Sequence, residues 1–118
     1  MLMSNDKIFS SVQVLSGLEE KGKLGYAIAR NLRKLNDAGK EYFEKRDELI
    51  RKYGKPNGNG GSYTFTEKNA KAFNKELEEY AVIEHEVDVM TVSEEVFCSG
   101  TLTSQMMYDL DWMVTVPE

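Results

Sequence analysis

The chain has 118 residues, which suits one domain with a real but modest core, and its apolar and charged content is that of an ordinary globular protein. A single cysteine, Cys98, excludes an intrachain disulfide and fits a reducing compartment. Met1 to Lys7 shows no basic segment leading into an apolar run, so no signal peptide is expected, and no apolar stretch approaches the roughly 18 residues that would span a membrane.

The net charge of −5 conceals a polarisation. All fifteen Lys and Arg lie in residues 1–75 beside nine acids, a net +6; the other eleven acids fall in residues 76–118 with no Lys or Arg, a net −11. Three readings follow: two parts that attract within one fold or across a dimer, an acidic face for a basic partner, or a basic face for nucleic acid.

In chain order, residues 5–16 read as a first helix, with Ile8, Val12 and Leu15 spaced four and three and Phe9 beside them. Ser4 or Asn5 caps it, Asp6 suits its first turn and Gly17 ends it. After a short connection, Gly22 to Tyr53 forms one long helix around which the chain is organised. Its seam runs Ile28, Leu32, Leu35, Gly39, Tyr42, Arg46, Leu49 and Tyr53, and Leu24, Ala38, Phe43 and Ile50 widen the apolar stripe. Gly39, which costs about 1 kcal/mol against alanine in a helix, marks either the close approach of a second backbone or a tolerated glycine. Gly54 and Pro56 stop the helix.

The turn Gly54 to Ser62 carries two Asn-Gly pairs. It lacks the Gly-Lys-Ser/Thr of a phosphate loop and the acidic ligands of a calcium loop, and reads as a plain turn. Tyr63-Thr64-Phe65 suits a very short strand. Thr66 then caps a helix to Ala81 with the stripe Ala70, Phe73, Leu77 and Tyr80. It folds back antiparallel on the long helix.

The period changes next. Ile83, His85, Val87 and Val89 alternate with Glu84, Glu86 and Asp88, a strand with one inward and one charged face. Val96-Phe97-Cys98 is β-prone and is expected to pair with it. Thr103 or Ser104 caps a last helix with the stripe Leu102, Met106, Leu110 and Met113, while Tyr108, Asp109 and Asp111 face out. The expected fold is α+β and mostly helical: an antiparallel αα-hairpin over residues 22–81, then an acidic segment over 82–118 with a small β element and a C-terminal helix, in one domain.

No catalytic or metal-binding constellation stands out, and no cofactor is implied. His85, the only histidine, lacks further ligands on its face and reads as a structural histidine near the core. Cys98 lacks a partner for redox or nucleophilic chemistry and reads as a small buried residue. The carboxylates look like exposed faces.

Three groups point to partners. Glu84, Glu86 and Asp88 on the strand, with Glu94 and Glu95, form an acidic set. Met107 falls off the last helix's stripe and, with Met106, Trp112 and Met113, makes a methionine- and tryptophan-rich terminal helix suited to core or to partner binding. Lys21, Lys23, Arg30, Arg33 and Lys34 have no acid among them, and Tyr26 lies nearby to stack on a base.

The order of pieces carries a resemblance: a short N-terminal helix; Ile28-Ala29-Arg30-Asn31-Leu32 leading into a charged helix; Glu44 to Gly54 with its Gly/Asn turn; Phe73-Asn74-Lys75-Glu76-Leu77; Val87-Asp88-Val89; and a close near Asp111-Trp112-Met113. In this order the chain resembles a family of short uncharacterised proteins encoded by tailed bacteriophages and prophages of Gram-positive bacteria, over roughly residues 5–116. The resemblance implies a phage origin and the cytoplasm of a bacterial host, and carries over no activity or site residues. The expectation is a non-enzymatic protein acting by protein–protein contact, either as a virion-assembly accessory or as an inhibitor of a host defence protein. The partner is a host or phage protein, or a second copy of the chain. The bearing residues are Glu84, Glu86, Asp88, Glu94, Glu95, Met107 and Trp112. The alternative is a nucleic-acid binder using Arg30, Arg33 and Lys34.

Overall fold

A computed structural model of the chain describes residues 1–58 and 60–115; Asn59 of the Gly/Asn turn and Val116, Pro117 and Glu118 lie outside the described residues. The elements run β1 Leu2–Ser4, α1 Asn5–Ser16, α2 Gly22–Tyr53, β2 Lys55–Pro56, β3 Tyr63–Thr64, α3 Glu67–Ala81, β4 Glu84–Glu86, α4 Glu94–Phe97 and α5 Ser104–Asp109, followed by a single 3₁₀ turn at Asp111–Met113. The architecture is α+β and mostly helical, with two small antiparallel two-stranded sheets.

Local chemistry sets the helix boundaries. Ser4, Thr66, Ser93 and Thr103 each accept, through a side-chain oxygen, the backbone N–H three residues on, starting α1, α3, α4 and α5. Helix α2 starts after Lys21 without a side-chain cap. The N–H of Gly54 closes it on the Ile50 carbonyl at 2.8 Å.

Helix α2 is the spine, with α1 and α3 packed against it. Gly39 is a contact point: a Cβ there would lie 2.9 Å from Cγ2 of Ile8 and 2.7 Å from Cζ of Phe43. The close approach is by the Ile8 side chain rather than by a second backbone. Phe9, Tyr42 and Phe43 meet edge-on and tilted around this contact, and the Arg46 guanidinium caps the Phe9 ring at 4.4 Å. Helix α3 returns antiparallel, so that the Asn69 side chain donates to the Tyr53 carbonyl, Glu76 meets Tyr53 and Lys52, and the Lys45 ammonium lies over the Tyr80 ring.

Three expectations need correction. The partner of the acidic strand is not Val96-Phe97-Cys98 but β1, ahead of the first helix: Leu2, Met3 and Ser4 oppose Glu86, His85 and Glu84. Residues 94–97 instead form the short helix α4, because Ser93 caps it and Glu94 and Glu95 suit its first turn. The regular part of the strand is only Glu84–Glu86, and Ile83, expected inward, is 47% exposed. Cys98, expected buried, sits exposed at the end of α4.

The core gathers at the first half of α2. Leu24, Ala27, Ile28 and Leu35 form one cluster with Met3, Ile8 and Leu15 and with Val87, Val92, Phe97, Leu102, Leu110 and Met113. Asn31 is fully buried among them. Its Nδ2 donates to the Met90 carbonyl at 2.8 Å and its Oδ1 accepts the Met90 N–H at 2.7 Å, so one amide satisfies both backbone groups of an irregular segment. Val92 then bridges to the C-terminal segment, donating to the Met113 carbonyl and accepting from the Thr115 N–H, each at 2.8 Å.

Candidate interaction surfaces

The β1–β4 ribbon sorts its side chains by the two-residue period of a strand. Met3 and Val87 point into the core and Glu84 and Glu86 point out. His85 turns inward, its Nε2 2.9 Å from Oδ1 of the nearly buried Asn5, whose Nδ2 donates to the Tyr80 carbonyl. This chain of bonds ties β4 to the start of α1 and the end of α3.

Ile83 lines a separate hollow with Lys45 and His85, whereas Leu2 (62% exposed), on the outer face of the ribbon with Glu84 and Glu86, and Val82 (63% exposed) stand in solvent. Beside them a hollow of about 470 Å³ between the ribbon and α3 is lined by Asp6, Glu78 and Glu84 together with Tyr42, Leu77 and Val82. Among the described residues no cation pairs with Asp6, Glu78, Glu79 or Glu84, while Glu86 meets the amino group of Met1. The result is one surface on which apolar groups and uncompensated carboxylates are interleaved.

The other expected acids lie elsewhere. Asp88 is held by Lys34, whose Nζ donates to its carbonyl at 2.6 Å and reaches its carboxylate at 3.4 Å. Glu94 and Glu95 sit on α4, where they favour the positive end of the helix. Glu94 and Met107 line a separate hollow of about 360 Å³ with Phe97, Cys98, Asp111 and Val114. Trp112 packs half-buried against the core, its indole N–H buried and without a partner among the described residues. The methionine- and tryptophan-rich segment is thus mainly core-facing, with Met107 at the edge of a hollow.

The basic residues divide as well. Arg30 and Arg33 line a hollow of about 200 Å³ with Tyr26 and Ala29. Lys34, engaged with Asp88, does not join them. Tyr26, 57% exposed, also forms one wall of a larger cleft of about 520 Å³ with Lys23, Met90, Val92 and Val96.

Contacts also perturb two carboxylates. The Thr101 hydroxyl and backbone N–H both donate to Glu20 Oε1 and hold its pKa below the ordinary value. The Tyr53 hydroxyl, then Lys52, do the same for Glu76. Both pairs tie elements together at the surface, and neither opens on a cleft described above. Among the described residues no group of three or more His, Cys, Asp and Glu side chains converges to hold a metal ion, and no helix is long and apolar enough to cross a membrane.

Comparison with known proteins finds no family model, curated protein or solved structure that matches this chain.

The outward acids of β4 follow from their alternation in the sequence. Leu2 and Val82 do not, because their exposure depends on where β1 pairs. Asn31 and Asn5 carry buried amide contacts that the sequence does not mark: Asn31 stands in a helical repeat like any surface residue, and Asn5, a possible cap of α1, gives no sign of its contact with His85.

Proposed function

We propose that the protein acts without catalysis, by docking the surface formed by Leu2, Val82, Glu78, Glu84 and Glu86 on a basic, partly apolar face of another protein. The observation that carries this reading is the exposure of Leu2 and Val82 beside Glu78 and Glu84, with which no cation pairs among the described residues. Exposed apolar groups supply affinity, and the surrounding acids steer a basic partner and exclude acidic ones. The resemblance to phage and prophage proteins implies a partner in a bacterial cytoplasm, either a phage structural protein served by an assembly accessory or a host defence protein whose phosphate-binding surface the acids occupy.

The test is capture of partners from a Gram-positive host lysate by the tagged chain, with and without nuclease. A protein captured despite nuclease, and lost with the double variant Glu84→Lys/Glu86→Lys at unchanged helical content, is the expected result. Capture that the double variant leaves intact refutes the acidic face as the docking surface.

A further inference from the structure

Tyr26 has no work in the core. The buried stripe of α2 passes through Leu24, Ala27, Ile28 and Asn31, while the Tyr26 ring stands between two hollows of opposite character. On one side lies the cleft of about 520 Å³, whose floor is the apolar set Met90, Val92 and Val96. On the other lies the smaller hollow walled by Arg30 and Arg33, with Arg30 Nη1 donating to the Tyr26 hydroxyl at 3.3 Å and its guanidinium 5.8 Å from the ring centre. Lys23, Tyr26, Arg30 and Arg33 are spaced three, four and three, which sets them on one face of α2 along about 15 Å of helix. Among the described residues neither Arg30 nor Arg33 nor Lys23 forms an ion pair.

A ligand that matches this sequence of environments has a flat, weakly polar ring and an anionic group a short distance along the same molecule. A nucleotide unit has that form. We infer that this face binds a short single strand of nucleic acid, with one unpaired base in the apolar cleft against Tyr26 and the flanking phosphates on Arg30, Arg33 and Lys23. A duplex presents the phosphates but keeps its bases stacked, so it leaves the cleft unused. This surface is separate from the acidic one proposed above and does not depend on it.

The experiment is fluorescence anisotropy of a labelled oligothymidylate of about ten nucleotides with the full chain, titrated at salt from about 50 to 200 mM. Saturable binding is expected, with log affinity falling against log salt at a slope near −2, about −0.7 for each of three phosphate contacts. Tyr26→Ala is expected to weaken binding at least about five-fold at an unchanged slope, through loss of the stack. Arg30→Glu/Arg33→Glu is expected to weaken it at least about ten-fold and flatten the slope. Both variants alter exposed side chains, so unchanged helical circular dichroism separates lost binding from lost fold. Glu84→Lys/Glu86→Lys should leave the Tyr26 effect in place, which distinguishes failure here from failure of the acidic docking surface. No binding at the lowest salt overturns the inference. So does binding that Tyr26→Ala leaves intact, or that an equal length of duplex matches, since either denotes plain attraction of a polyanion. A homodimer in sedimentation that Tyr26→Ala dissolves and the oligonucleotide does not would give the cleft to a second copy of the chain and also overturn it.

Discussion

The two ends of α2 are held by different means. Around Leu24 to Leu35 the helix shares one buried cluster with β1 and α1 and with the irregular segment and short helices that follow β4. Beyond Arg46, which still reaches Phe9 of α1, it runs beside α3 and the β2–β3 turn, and among the described residues from 43 to 86 only Leu49 is buried. The stripe of α3, Ala70, Phe73, Leu77 and Tyr80, is half-buried throughout. Two antiparallel helices with nothing across them can each cover only one flank of the other. The enclosed end therefore carries most of the fold's apolar burial, and the hairpin end projects from it as an arm on a molecule 48 Å long and 23 Å in its narrowest dimension.

The largest test of this contrast compares Leu35→Ala with Leu49→Ala, both at fully buried positions. Leu35→Ala is expected to lower global stability by about 2–5 kcal/mol in denaturant unfolding. Leu49→Ala should act mainly on the arm, speeding amide hydrogen exchange in α3 while β4 keeps its protection. Equal loss of protection at both ends would show one cooperative unit and erase the distinction. Next in size is Asn31→Ala, which strands the N–H and carbonyl of Met90 in a buried site and is expected to cost about 2 kcal/mol, with exchange at residues 90–92 rising first. The smallest effect is that of pH. Glu20 at the enclosed end and Glu76 on the arm both have pKa values lowered in the folded state, from 4.5. Their contribution is full above 4.5 and is lost as the pH falls through the lower folded values. In thermal melts through that range, Thr101→Val should flatten the part due to Glu20, and Tyr53→Phe the part due to Glu76.

What the sequence disclosed follows the range of the interactions involved. The bounds of α1, α2 and α3 depend on apolar spacing and on caps within a few residues, such as Ser4, Gly54 and Thr66, and all three helices are legible. The small strand pairing is not, because Leu2-Met3-Ser4 is three residues long and meets its partner eighty residues or more away. At residues 93–98 two local signals compete: the β-prone Val96-Phe97-Cys98 loses to the Ser93 cap and the acids behind it. The role of Asn31 is not legible, because nothing in a helical repeat shows which backbone segment will need an amide. The candidate surfaces follow the same rule. Glu84 and Glu86 alternate outward as a strand demands. The isolation of Lys34 from Arg30 and Arg33 was hidden until Asp88 came to lie against it.

The pairing of β1 with β4 has a consequence during synthesis. Leu2–Ser4 leaves the ribosome before its partner Glu84–Glu86, which follows eighty residues or more later. At about 5–20 residues per second, several seconds pass in which α1 and α2 can form and meet through Ile8 and Gly39 while the first strand has no mate. The ribbon is thus a late clasp, closed only after the helical hairpin has returned the chain to its own beginning, and the exposed face around Leu2 and Val82 comes into being with that closure.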